Sequence, residues 1–261
     1  MKLHRINALL LKYYYISINR VDRIFDIFYW PIIDLFVWGF TSAFIENISE
    51  YNVLSMLLGG IMLWMFVWRG SQDIAVYVLE DFWSRSLYHV FSSPLTIHEH
   101  MSSIMLLALL RGIASFVFLA LAAFLLYQFN ILSISPLFLA ISVFILTLLG
   151  WIMGLFVTSL VFIFGKRIQV LAWSVVWIVQ PFSCVFYPLS AVPAWAQPIA
   201  KALPTTHVFE NLRALLNGSA VQYGQLLYAF GVELVLLFVV MYLLKWSFLR
   251  AKKTGLLARA Y

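Results

Sequence analysis

Long apolar runs separated by short polar breaks dominate the chain, and the runs exceed what the core helices of a soluble domain need. The first covers about Ile24 to Ile45, with Pro31 near its start, where a missing amide donor is tolerated. A polar turn at Glu46 to Asn52 leads to the second, Val53 to about Val78. The third covers Ser103 to about Tyr127. After a turn at Asn130 to Pro136 the fourth reaches Phe164, where Lys166 and Arg167 mark its exit. A helix rising about 1.5 Å per residue crosses a hydrocarbon layer about 30 Å thick in about 20 residues, so each run has the length of a membrane span.

The fifth run starts near Ile168 and stops around Pro188. Five of the eight prolines, at 181, 188, 193, 198 and 204, fall in this region. Each removes a donor and disfavours helix in the residue before it, which excludes one straight helix. Residues 189–216 are expected as short broken pieces, re-entrant or interfacial, sheltered within protein or at the membrane surface. The sixth run is about Gln222 to Leu244, and a basic tail follows from Lys245 to Tyr261. At the other end, residues 3–23 set Leu9, Leu10, Tyr13 and Tyr14 among Arg5, Lys12, Arg20 and Arg23, the pattern of an interfacial helix. The pattern predicts an all-α polytopic membrane protein with six transmembrane helices, a single transmembrane domain over residues 1–261.

Composition points the same way. Hydrophobic residues make up 64% of the 261 and charged residues 11%, against roughly 25% charged in a soluble domain. No room remains for a separate soluble domain. Met1 to Arg23 has no signal-peptide pattern and is expected to be retained. The single cysteine, Cys184, forms no disulfide within one chain and no CxxC pair, and is expected to be inert packing. The net charge of +6 does not imply nucleic acid, because the basic residues cluster beside the apolar runs. Lys2, Arg5, Lys12, Arg20 and Arg23 precede the first run; Arg85, Lys166 and Arg167 lie in the second and fourth connections; Lys245, Arg250, Lys252, Lys253 and Arg259 follow the last. These thirteen face only Lys201 and Arg213 on the other side, which places both termini in the cytoplasm.

The connection Leu79 to Met101 is long and mixes charge with apolar residues, so it is expected to fold. A short helix over 80–92 would carry Glu80 and Asp81 in its first turn and Leu87, Val90 and Phe91 on one side, with Pro94 ending it. Such a helix either docks a partner or rests on lipid. Within the runs, Arg69 and Asp73 are four apart and can pair on one helix, as a structural pair or as part of a conduit. Asp34 and Glu233 have no local partner, and Arg111 is expected to snorkel. His98, Glu99 and His100 are adjacent and point in different directions, so no metal site is expected. Gly150 and Gly154 form a Gly-x-x-x-Gly that permits close helix approach. Asn47 to Ser49 and Asn217 to Ser219 match the glycosylation triplet and carry no information without a secretory context. Trp173 and Trp177, one turn apart, with Phe186 and Tyr187 beyond them, offer faces on which sugars stack, although belts of aromatic residues are expected in any membrane protein.

Two segments carry a resemblance to a known family. Glu80, Asp81 and SLYHVFSSPLTIHEH, with Pro94 and then Glu99, look like a coupling helix followed by a proline and an acid. FYPLSAVPAWAQPIAKALPTTHVFENLRALL has a Tyr-Pro (Tyr187, Pro188), a Pro-x-Trp (Pro193, Trp195) and a later Pro, Glu and Arg (Pro204, Glu210, Arg213). The chain thereby resembles the permease subunits of type-2 ATP-binding-cassette exporters over nearly its whole length. Leu203 stands where members usually have Asn, and Phe182 to Cys184 where they have Gly. The resemblance implies an inner-membrane exporter of an amphiphile, a lipid-linked glycan or a hydrophobic drug-like compound. It implies no catalysis in this chain: ATP and Mg bind a partner ATPase subunit, a second permease copy or close relative completes the pathway, and membrane lipid surrounds it. Coupling would fall to Glu80, Asp81, Leu87, Phe91, Pro94 and Glu99, and the pathway to Arg69, Asp73, Trp173, Trp177, Phe186 and Tyr187. The residues agree on one point, since no G-x-x-x-x-G-K-[ST] occurs. Two other readings stand beside it: a proton-coupled secondary transporter using Asp34 or Glu233, and an intramembrane lipid-modifying enzyme with His89, His98, His207 or Glu210 as acid and base, His207 and Glu210 being spaced as a dyad.

Overall fold

Without water to bond to, a backbone in hydrocarbon must satisfy its amides with its own carbonyls, and the apolar runs accordingly form helices. The structure is a computed structural model that describes residues 2–46, 53–84 and 86–255. The expected turn after Glu46, the Asn47 to Ser49 triplet, Arg85 and the tail beyond Gly255, Arg259 included, lie outside the described residues. The chain runs through α1 (Leu3–Asn19), α2 (Val21–Glu46), α3 (Val53–Trp83), α4 (Ser86–Ser92), α5 (Ile97–Tyr127), α6 (Pro136–Phe164), α7 (Leu171–Val179), α8 (Gln197–Ala202), α9 (Pro204–Leu216) and α10 (Tyr223–Thr254). No strand occurs among the described residues. Five helices, α2, α3, α5, α6 and α10, are long and apolar enough to cross a membrane.

The fifth expected run is only partly helical. Its apolar helix, Leu171–Phe182, rises roughly 18 Å and ends in a tight turn at Gln180–Phe182 that contains Pro181. Cys184 then adopts a left-handed backbone, φ 53°, and the chain leaves the helix axis. Beyond it, Leu189–Ala191, α8 and α9 are the short pieces the prolines predict, with Pro198 and Pro204 each in a first turn, where no amide donor is needed.

Two boundaries differ from expectation. A helix over 80–92 does not form; Leu79 and Phe82 are buried in the core, so α3 continues to Trp83 and Glu80 and Asp81 are its last turn. α4 starts afresh at Ser86 and stops before Pro94. α5 begins at Ile97, earlier than Ser103, because Thr96 and Glu99 make a capping box: Thr96 Oγ1 accepts the Glu99 amide at 3.3 Å and the Glu99 carboxylate accepts the Thr96 amide at 3.0 Å.

α3 is the most enclosed of the five long helices, and α2 and α10 are among the least. It crosses α6 backbone to backbone through Gly70, Gly150 and Gly154. A β-carbon on Gly150 would stand 2.8 Å from the Val67 carbonyl oxygen, and one on Gly154 would stand 2.9 Å from that of Ser71. The Gly-x-x-x-Gly is therefore a contact surface. Gly150→Val should cost about 1–3 kcal/mol by overpacking and lower the thermal unfolding midpoint in detergent. Gly231→Val, with nothing within 4 Å of its added carbon, should leave it near wild type.

Candidate functional site

α2, α3 and α7 leave a groove between them, and tryptophan spacing lines it. Trp64 and Trp68 on α3, and Trp173 and Trp177 on α7, are one turn apart and share a face; Trp30 and Trp38 on α2 are two turns apart and do the same. The groove holds two adjoining cavities, of about 370 and 170 Å³, with Trp30, Trp68 and Trp177 in the walls of both. The larger also has Asp22, Arg23, Asp26, Gln72 and Trp173. The smaller has Asp34, Trp38, Trp64, Gln180 and Phe186. Trp38 stacks on Phe186 with ring centroids 3.9 Å apart, closing the smaller cavity at one end.

Of the residues the sequence assigned to a pathway, Trp173, Trp177 and Phe186 line this groove. Arg69 and Asp73 lie behind its wall, fully buried. Tyr187 turns away, its ring against the small cluster around Cys184 and Val192 and its hydroxyl donating to the Pro181 carbonyl. Asp22, Arg23, Asp26, Gln72, Asp34 and Gln180 complete the polar lining. Sequence reasoning singled out only Asp34 among these for its place in a span; the repeated tryptophan spacing on α2 and α3 was the signal that would have found the rest of the walls.

Behind the wall sits a buried ionic cluster. Asp26 Oδ2 accepts from Arg69 at 2.5 Å and from Arg111 at 2.9 Å, and Asp73 Oδ1 lies 3.5 Å from Arg111 and 4.0 Å from Arg69. Arg111 also donates to the Tyr77 hydroxyl at 2.9 Å and to the Arg23 carbonyl at 3.3 Å. The i, i+4 partnership of Arg69 with Asp73 is thus the longest contact in the set. Arg111 does not snorkel: its side chain is 5% exposed and held by two carboxylates.

At the end of the bundle carrying α1 and α4, the acids read as coupling residues hold α1 in place. Asp81 accepts from Lys12 at 2.9 Å, from the Tyr13 hydroxyl at 2.5 Å and from Ser86 at 2.5 Å, and lies 3.2 Å from His100 Nε2. Tyr13 is buried; that burial first, and the Asp81 charge beside it second, push its phenol well above the ordinary value, so it stays a donor. Glu80 pairs with Arg20 at 3.0 Å and with Arg23. Glu99 accepts the Lys2 amide at 2.8 Å and pairs with Arg5 at 3.5 Å, while Arg5 also donates to the Pro94 carbonyl. Leu87 is buried and Phe91 packs on Phe248 and His100. Among the described residues of this corner, Trp83, Ser84, His89, Ser92, Ser93, Pro94 and Thr96 are exposed.

At the opposite end, Glu210 and Arg213 fasten the proline-rich segment to α9. Glu210 Oε1 accepts the Leu189 amide at 2.7 Å and Arg213 Nη2 at 3.0 Å, and Arg213 donates to the Cys184 carbonyl at 2.6 Å. Pro188 precedes the Leu189–Ala191 turn, Pro193 follows it, and Trp195 stays 71% exposed with its edge on Phe182. His207 Nε2 bonds the Lys201 carbonyl at 3.0 Å, so His207 and Glu210 serve different partners. Glu233 is fully buried on α10, and no described residue bonds its carboxylate. Among the described residues no His, Cys, Asp or Glu group is arranged to hold a metal.

No protein-family model matches the chain, and no curated protein sequence matches it. The chemistry of the groove must be argued from its own residues. Removing Arg111 leaves two buried carboxylates to share one guanidinium, Arg69, and breaking a buried ion pair in this way costs about 3–5 kcal/mol. Arg111→Met should lower the unfolding midpoint far more than Arg20→Met, whose pairing with Asp22 is largely solvent-exposed; thermal scans of both variants check this.

Proposed function

We propose that the chain is the membrane permease subunit of an exporter driven by a separate ATPase, working in the cytoplasmic membrane with both termini inside and moving an amphiphilic substrate. The observation that carries the reading is the pairing of a laterally placed, tryptophan-walled groove between α2, α3 and α7 with a folded α3–α4–α5 corner at the end where basic residues concentrate. A groove of mixed aromatic and charged lining suits a substrate with a polar head and an apolar body. The residues that resemble the exporter family also have defined work in the fold. Pro94 and Glu99 tie the corner to α1, and Glu210 and Arg213 hold the broken segment after α7. The sparsely covered α2 offers a face to a second permease copy.

In this reading Leu171–Phe182 and the irregular chain after it serve as the sixth crossing, completed by contact with α3 and α9 instead of by helix length. The corner presents His89, Ser92, Ser93 and Pro94 to a cleft in the ATPase. ATP binding and hydrolysis occur in that partner, and the permease halves part to release substrate. Buried Glu233 favours one second reading, proton-coupled transport by this chain alone.

Co-expression with a neighbouring ATPase tests the proposal. The complex should form with wild type, and Ser93→Trp should weaken it at least tenfold in pull-down titration without lowering the unfolding midpoint. Asp81→Arg should instead destabilise the chain itself. Transport by the purified chain in liposomes with a pH gradient and no ATPase would establish the second reading and sink the first.

A further inference from the structure

The groove does not treat all head groups alike. Resting on the permease reading, we infer that the smaller cavity binds the ammonium end of a cationic amphiphile, held by the Asp34 carboxylate against tryptophan faces. The cavity, about 170 Å³, has room for roughly five waters, the scale of a substituted ammonium group. Trp30, Trp38, Trp64, Trp68, Trp177 and Phe186 wall it. Ring faces carry partial negative charge and attract cations, quaternary ammonium groups among them. Arg69 already uses this chemistry, its guanidinium 4.7 Å from the centre of the Trp68 ring.

Charge accounting sets Asp34 apart. Asp22 pairs with Arg20, Asp26 with Arg69 and Arg111, Asp73 with Arg111, and Glu80 with Arg20. Arg69 and Arg111 are consumed by that cluster. No described residue bonds or charge-pairs Asp34. A lone carboxylate in an aromatic, apolar wall is costly unless a cation joins it, and it repels an anionic head. A sugar fits poorly: its hydroxyls need acceptors as well as donors, the indole N–H groups only donate, and among the described residues Gln180 is the one side chain besides Asp34 that offers an oxygen acceptor in the lining. The amide of Gln180 is uncharged and leaves Asp34 to select for positive charge.

The probe is dodecyltrimethylammonium, read by tryptophan emission of the full chain in phosphatidylglycerol nanodiscs, beside its neutral analogue with carbon replacing nitrogen and beside dodecyl maltoside. The expected result is saturable binding of the cation alone, with Asp34→Asn raising Kd at least tenfold at an unchanged unfolding midpoint. Trp177→Leu, at a partly exposed position, should weaken binding severalfold and serves if Asp34→Asn does not fold. Equal binding of the neutral analogue or the maltoside, or undiminished binding in a folded Asp34→Asn, overturns the inference. Discs containing phosphatidylcholine separate the sources: competition identifies a choline lipid head as the occupant, and its absence a free lipophilic cation, either of which supports the ammonium site. The assay contains no ATPase, so intact cation binding here, together with failure of the co-expressed ATPase to form a complex, would sink the exporter reading and leave the site standing.

Discussion

Two guanidinium groups that cannot lose their charge, those of Arg69 and Arg111, are buried at the junction of α2, α3 and α5, and the placement of those helices follows from that. Arginine stays protonated at any accessible pH, so the only way to hold it away from water is to surround it with carboxylates and carbonyls. Asp26 from α2 and Asp73 from α3 supply the charge, while the Asp26 and Arg23 carbonyls and the Tyr77 hydroxyl supply further acceptors. At an effective dielectric near 20 a pair 4 Å apart is worth about 4 kcal/mol before desolvation is subtracted, and so no single contact suffices. The cluster works because three helices contribute at once. It fixes the register of α2 against α3, and with it the wall of tryptophans on the groove side.

The same residues connect the groove to α1. Tyr77, bonded to Arg111, also lies 2.6 Å from Ser17 Oγ on α1, and Arg23 stacks on the Tyr77 ring while pairing with Glu80. Asp81, one residue on, receives Lys12 and Tyr13. A short amphipathic helix is marginal by itself, and α1 has no side-chain cap at its start. Its stability comes from this polar seam together with the burial of Ile6, Leu9 and Tyr13.

Helices were legible in the sequence because their signal is local. Apolar length located the five long helices, proline spacing located the break after α7, and Gly150 with Gly154 located a close crossing. Helix ends were less so. The Thr96-x-x-Glu99 capping box stands in the sequence, but the same acid also fits a family motif, and apolar length alone starts α5 at Ser103, too late. That error led to the next one. With its start at Ile97, the helix carries Arg111 roughly 21 Å in, too deep to reach an interface, whereas a start at Ser103 would leave it near the end. The partners of Arg111 could not be read at all: Asp26 and Tyr77 lie 85 and 34 residues away, and only the packing of α2 and α3 brings them near.

Charge, then, has two uses in this chain, and the distinction between them decides where function can reside. Glu80, Asp81, Glu99, Glu210 and Arg213 were attractive functional candidates because they are charged, spaced and set beside prolines, yet each is engaged in holding one segment to another. Residues so engaged are poor recognition elements, since a partner must first displace what they already bind. Recognition falls to what the fold leaves uncommitted. In the groove that is the carboxylate of Asp34, which faces aromatic rings and pairs with no cation among the described residues.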